Sequence, residues 1–284
     1  MKVDTAEIMT LGLSLVGWKR MPPDSAVHVN GRDIRKALIS VDVGPAELLL
    51  AKHMKCDAVI AHHPIGVASI NFHRVFDRHV EYMEKNGIQK SAARDAVRAL
   101  KLRAQIRSHA NIYRQTVDTA KLLQIALVNI HQPCDEFMRR IIWAKVKSVK
   151  STDKVSKLLQ IVREIPEFRY AVNRPLVALG SVRNSVGRAV LVLAAGTNGG
   201  YRIAKLYYEN GITTVIYLHV DPGEAAKLRS EKTKGNLVIL GHLAGDSIGL
   251  NALAERLERR GVQTVRLGII SGCYRKKRKT QCTT

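Results

Sequence analysis

Cysteine is scarce in this sequence and never paired: Cys56, Cys134, Cys273 and Cys282 are the four present, and none stands in a CxxC spacing. That excludes a disulfide framework and a thiolate zinc knot, and points to a reducing, cytoplasmic setting. Long apolar runs are also missing, since no stretch approaches the roughly 18 apolar residues of a spanning helix. The segment from Ile8 to Trp18 is apolar, but Asp4 and Glu7 precede it where a secretory leader would be basic. It reads as an amphipathic first helix. Negative charge is thin, with 24 Asp and Glu against 46 Lys and Arg, a formal balance of +22. Such a chain draws polyanions to itself over long range, so phosphorylated small molecules and nucleic acid are candidate partners. There is no GxSxG elbow, no GxxxxGK[ST] loop and no Cys-His nucleophile context to support acyl transfer or nucleotide hydrolysis of the usual kinds.

What the sequence does contain is histidine at the ends of apolar runs. Ala58-Val59-Ile60-Ala61 leads into His62-His63-Pro64, and Leu237-Val238-Ile239-Leu240 leads through Gly241 into His242, with Asp246 one helical turn on. A strand buried on both faces that presents imidazoles at its carboxyl end puts them where open α/β sheets build their sites. Each histidine alone reads most simply as a strand-end residue, but two such clusters together point to a metal site. Neutral imidazole suits zinc, iron, manganese or nickel, and a carboxylate near it can close or bridge the cluster. One or two divalent ions per chain are expected.

Alternating strand and helix patterns give an α/β fold of mostly parallel sheets. The pattern divides into a first lobe over 1–130, a helical insertion over 131–180, a second lobe over 181–272 and a basic tail over 273–284. In the first lobe, strands are expected at 34–43, 57–61 and 102–107, and helices at 46–55, 71–86, 90–100 and 116–128. The strand at 102–107 would deliver His109. In the second lobe, strands at 188–195, 212–218, 236–240 and 263–267 alternate with helices at 201–210, 223–230 and 246–260. The metals would then lie in the cleft between two similar lobes.

The residues quoted above also carry a resemblance. Ser40-Val41-Asp42-Val43, a helix and then AHHPIG resemble the amino-terminal half of the Nif-three-like family, the NGG-one-interacting-factor-three group also described as GTP cyclohydrolase type-two homologues. VLAAGTNGG at 192–200 and LGHLAGDSIGL at 240–250 resemble its carboxyl half. The resemblance implies a dinuclear metal centre between two α/β halves and often a hexameric ring, and it matches His62, His63, His242 and Asp246 to metal ligands. Asp246 stands where the family usually has glutamate, one methylene longer, so a bridging role would need the helix roughly 1 Å closer. The family's HTNLD-like segment is expected at His109-Ala110-Asn111-Ile112-Tyr113, with Tyr113 in place of the ligand aspartate. Three alternatives follow: His109 as the replacement, Asp118 reaching in from the next helix, or loss of the second metal.

Two functions remain open at this level: a metal-dependent, hydrolase-like protein acting on an anionic or nucleotide-like substrate, and a metal-binding regulatory or nucleic-acid-binding protein without turnover. For the second, Arg94, Arg98 and Lys101 share a helical face beside Ala93, Val97 and Leu100, and Arg275 to Lys279 form a basic run. The Gly196-Thr197-Asn198-Gly199-Gly200 turn could hold a phosphate at a helix start, though tight-turn sterics explain it as well. His219 is placed to support the ligands from behind.

Overall fold

Short strands buried on both faces organise the molecule. The structure, a computed structural model, describes residues 3–193 and 199–271. The chain begins with α1 (Thr5–Ser14), followed by β1 (Ala26–Val29), β2 (Lys36–Ser40), α2 (Pro45–His53) and β3 (Ala58–Ala61). Next come α3 (Gly66–Ile70), a 3₁₀ turn at Asn71–Phe76, α4 (Asp77–Lys85), α5 (Lys90–Ser108), α6 (Gln115–Leu122) and β4 (Ala126–Asn129). Three helices follow, α7 (Gln132–Val146), α8 (Val155–Val162) and α9 (Pro166–Tyr170), then β5 (Leu176–Leu179) and β6 (Ala189–Leu191). The remainder is α10 (Gly200–Glu209), β7 (Thr214–Tyr217), α11 (Pro222–Ser230), β8 (Asn236–Ile239), α12 (His242–Arg259) and β9 (Gln263–Leu267).

The strands form two sheets, ordered β1-β4-β3-β2-β9 and β5-β8-β7-β6. All pairings are parallel except β1 with β4 and β5 with β8. Without β9, the first four strands in sequence repeat the arrangement of the next four, with the antiparallel edge strand always beside the last. The repetition extends to detail: both edge strands slip register near their ends, between Val27 and Val29 and between Val177 and Leu179.

Side-chain alternation along the strands explains the layering. In the first sheet Leu38, Val59, Ala61 and Leu127 point toward α2 and α6, while Ala37, Ile39, Ile60 and Val128 join Ile8 of α1 and Leu250, Leu253 and Leu257 of α12. In the second, Val215, Tyr217 and Leu237 meet Ala204, Tyr207 and Leu228 on one face. On the other, Ile216, Leu218 and Val238 meet Met138 and Ile142 of α7 with Ala244 and Ile248 of α12. Thus α7 and α12 lie between the two sheets. They approach closely at Gly249, where a β-carbon would stand 2.5 Å from the Cys134 carbonyl oxygen.

The α/β class and the parallel sheets agree with the sequence reading, but four local expectations do not. Residues 102–107 are the end of α5 rather than a strand, because Ala93, Val97, Leu100 and Ala104 continue the buried helical stripe without a break. The expected helix over 116–128 divides: α6 ends at Leu122, Gln124 turns the backbone to φ 53°, and β4 begins at Ala126. The segment 131–180 is not an insertion, since α7 supplies the central layer and β5 an edge strand. β9, expected in the second lobe, pairs in register with β2 of the first sheet. The halves are also joined by α4 and α5, whose Val80, Met83, Ala93 and Val97 pack with residues of the second sheet. The tail beyond 271 lies outside the described residues.

Candidate metal centre

The carboxyl ends of the parallel strands in both sheets meet at one place. His62 and His63 follow β3 directly, and their amides continue the ladder onto the carbonyls of Ser40 and Val41 at 2.9 and 3.0 Å. His131 lies two residues past β4, whose ladder extends through the Ile130 amide to the Ala61 carbonyl at 3.0 Å. From the other sheet, Gly241 ends the strand with φ 117°, a conformation open to glycine, and His242 opens α12. Each helix then carries an aspartate four residues after its histidine: Asp135 on α7 and Asp246 on α12. Residues four apart on a helix share a face, so each histidine and its aspartate point the same way.

The result is a cluster of four imidazoles and two carboxylates. His62 Nε2 lies 3.1 Å from Asp135 Oδ1 and 3.7 Å from Asp246 Oδ1. Asp246 Oδ2 lies 3.3 Å from His63 Nε2 and 3.0 Å from His242 Nε2, and these two nitrogens are 3.3 Å apart. His131 Nε2 approaches Asp135 Oδ2 at 3.2 Å. Three groups of these residues, His62 with His63 and His131, His63 with His242 and Asp246, and His62 with Asp135 and Asp246, hold their ligand atoms within 4.8 Å of one another and could bind a metal ion.

Three of the imidazoles are oriented from behind. The Nδ1 atoms of His62, His63 and His131 contact the Ile130 carbonyl at 3.2 Å, Asp42 Oδ1 at 2.7 Å and Asp24 Oδ2 at 2.6 Å. Donation of the Nδ1 proton to such an acceptor fixes the tautomer and leaves Nε2 free as a ligand. The donor set could accept a cation, because His62 Nε2, both oxygens of Asp135 and Asp246 Oδ2 are buried with no aligned hydrogen-bond partner. Two carboxylates only 2% exposed need compensating positive charge. Within the protein itself, His62 is the group best placed to offset them. Burial disfavours charge on His62, but Asp135 and Asp246 outweigh it and hold its pKa well above the usual value. Burial likewise opposes ionisation of Asp246, yet His62, His242 and His63 hold its pKa well below the carboxylate range. His131 is kept neutral, burial pushing its pKa down to about 3, while burial raises Asp24 to about 7.

Of the residues singled out in the sequence, His62, His63, His242 and Asp246 are brought together here. His109 is not: it caps α5 at the exposed surface, apart from the three groups, as helix replaces the strand that would have delivered it. Tyr113 is 45% exposed, and Asp118 pairs with Arg114 at 3.1 Å. The place expected for His109 and Tyr113 is filled by His131-Gln132-Pro133-Cys134-Asp135, with aspartate intact at the fifth position. The sequence carried its signal, a run from Ile125 to Ile130 that is apolar except for Asn129 and leads into histidine, with Pro133 next to a helix start, hidden by the reading of 116–128 as one helix. His219, past β7, stacks near His242 with ring centroids 4.3 Å apart, and burial lowers its pKa to about 4. Gly196 to Asn198 lie outside the described residues. Where α10 begins, the Tyr201 amide donates to Glu224 Oε2 at 2.7 Å, so a carboxylate already occupies that amide.

Among solved structures, a NIF3 superfamily protein from Sphaerobacter thermophilus is 40% identical over 94% of this chain and 98% of its own, with a TM-score of 0.90. The reduced form of HcgD from Methanocaldococcus jannaschii shares the fold at 13% identity, covering 94% of this chain and 98% of that one, with a TM-score of 0.56. A Bacillus cereus protein related to NIF3 does so at 11% identity, with 97% and 99% covered and a TM-score of 0.51. No protein-family profile matches the chain, and neither does any curated protein. The chain belongs to the NIF3 superfamily.

Proposed function

We propose that the six clustered residues form a two-ion centre for zinc, iron or manganese, and that the protein is a hydrolase-like enzyme acting on an anionic, nucleotide-like substrate. The observation that supports it is the division of Asp246: Oδ1 faces His62, while Oδ2 faces His63 and His242. One ion would be held by His62, Asp135 and Asp246 with His131 alongside, the other by His63, His242 and Asp246. Aspartate would serve without the longer glutamate, since the two oxygens of Asp246 already lie within 3.7 Å of His62 Nε2 on one side and 3.0 Å of His242 Nε2 on the other. When bound, a divalent ion polarises a substrate oxygen and lowers the pKa of water toward about 7. Asp24, Asp42 and the Ile130 carbonyl keep three rings in position, so little reorganisation is needed on binding. The chain's excess of positive charge would concentrate an anionic substrate.

Elemental analysis of the purified protein should return about two transition-metal ions per chain. The His63→Ala, His242→Ala double variant should lose at least roughly tenfold in metal affinity with its far-UV spectrum intact. Full metal content in that variant would sink the assignment. The metal-loaded chain should hydrolyse a member of a panel of phosphate esters and nucleotides. Nucleic-acid binding without such turnover would instead favour a regulatory protein.

A further inference from the structure

Beside the candidate centre lies a cleft of about 660 Å³, within the roughly 300–1,000 Å³ usual for small-molecule sites. His63, His131 and His242 border it on the side of the cluster. One wall is aromatic. The rings of Phe72 and Phe76 meet edge to face with centroids 5.6 Å apart, and Phe72 meets His131 the same way at 5.5 Å. A flat molecule against Phe72 would therefore lie next to a candidate ligand. α5 extends this wall with Leu100 and Ala104 and brings Arg103 and Arg107 to its border.

The charges around the cleft are not equally available. Arg103 is tied to Glu224 at 3.0 Å, and Glu224 also accepts from the Tyr201 amide. Asp221, across the cleft, caps α11 by accepting from the Gly223 amide at 2.8 Å. Both acidic groups on that side are thus committed. Arg107 is exposed and forms no ion pair among the described residues. Its planar fork of donors matches a carboxylate or phosphate.

We propose that the cleft takes an aromatic oxyanion, a planar ring laid on Phe72, which Phe76 backs, with its carboxylate or phosphate on Arg107. The proposal deepens the metal-centre reading and rests on it only for the reacting end of the ligand. Ring selection comes from edge and face contacts that a saturated ring of similar size cannot make, worth about 0.5–1.5 kcal/mol for an aromatic pair, or roughly 2- to 12-fold in affinity.

The test is calorimetric titration of the full chain with phenyl phosphate, cyclohexyl phosphate and inorganic phosphate, before and after treatment with a chelator, with metal content measured each time. Phenyl phosphate should bind at least about threefold tighter than cyclohexyl phosphate and about tenfold tighter than inorganic phosphate. Phe72→Leu, which keeps the bulk of the wall, should erase the preference for the phenyl ring. Arg107→Gln should weaken all three by about tenfold without lowering metal content. Equal binding of phenyl and cyclohexyl phosphate by the parent overturns the aromatic seat, and unchanged affinities in Arg107→Gln overturn the anion seat. The phenyl preference should survive chelation, so a protein that holds no metal yet keeps that preference would sink the metal centre alone.

Discussion

Asp135 and Tyr113 carry opposite expectations for the same experiment. If α7 supplies the ligand, Asp135→Asn should lower metal affinity by roughly tenfold or more, because an amide replaces a buried carboxylate facing two imidazoles. Tyr113→Asp should change it little, since that side chain is largely exposed on the loop after α5. A competition titration against a metallochromic chelator measures both, and a gain from Tyr113→Asp would count against the centre as described. His79 gives a residue-level prediction of a different kind. It is 1% exposed and stacked on Phe76, and burial holds its pKa down to about 3 against an ordinary 6.5. The unfolded chain takes up a proton as pH falls below 6.5 while the folded one does not, so stability declines from there until about pH 3. Between pH 7 and pH 5 the loss from this group is about 2 kcal/mol. Urea denaturation at the two pH values should show it, and His79→Leu should reduce the difference by that amount.

At the level of elements, the α7–α12 contact sets the spacing of the two aspartates. A methyl group at Gly249 would collide with the Cys134 backbone, and the residue after Cys134 is Asp135. Gly249→Ala should therefore cost about 1–3 kcal/mol through overpacking and also weaken metal binding, by displacing Asp135 from Asp246. Thermal unfolding with and without added zinc separates the two effects, and a variant that unfolds earlier but binds metal like the parent would show that the helices part without moving the site. The same elements show what could be read in the sequence. Strands such as Ala58–Ala61 and Asn236–Ile239 were legible because burial on both faces requires runs of apolar residues, interrupted here only by Asn236, and a histidine just past such a run stands out. β4 was not, because four residues joined to a preceding amphipathic helix continue its pattern by chance, and only the positive φ at Gln124 parts them. α5 was cut short for the converse reason: Leu102 and Ile106 look like strand residues but are 53% and 63% exposed on the outer face of a helix. The return of β9 to the first sheet depends on the path of the whole chain, to which local patterning is blind.

For the molecule as a whole, the excess charge is less free than composition suggests. Of the basic face of α5, Lys101 is bound to Asp77 at 2.7 Å and Arg98 lies 3.7 Å from Asp95. Arg94 alone of the three has no ion pair among the described residues. Binding of single-stranded RNA or DNA should still weaken with salt, since each neutralised phosphate releases counterions. The triple alanine variant of Arg94, Arg98 and Lys101 should flatten that slope by no more than about one phosphate contact if the internal pairs persist. A slope lowered by three would mean that nucleic acid outcompetes them, and no binding at low salt would remove nucleic acid as a partner.

The pairing of β9 with β2 bears on how the protein is made. During synthesis β2 emerges early and must wait, one edge unpaired, until residues 263–267 have left the ribosome, and α12 with His242 and Asp246 emerges only shortly before. The first four strands can assemble as soon as β4 is out, but that intermediate exposes the apolar face later covered by Leu250, Leu253 and Leu257. Ribosome-bound chains stalled before α12 would be the forms most in need of chaperones. The six clustered residues come together only when His242 and Asp246 of α12 join the four supplied by the first half of the chain.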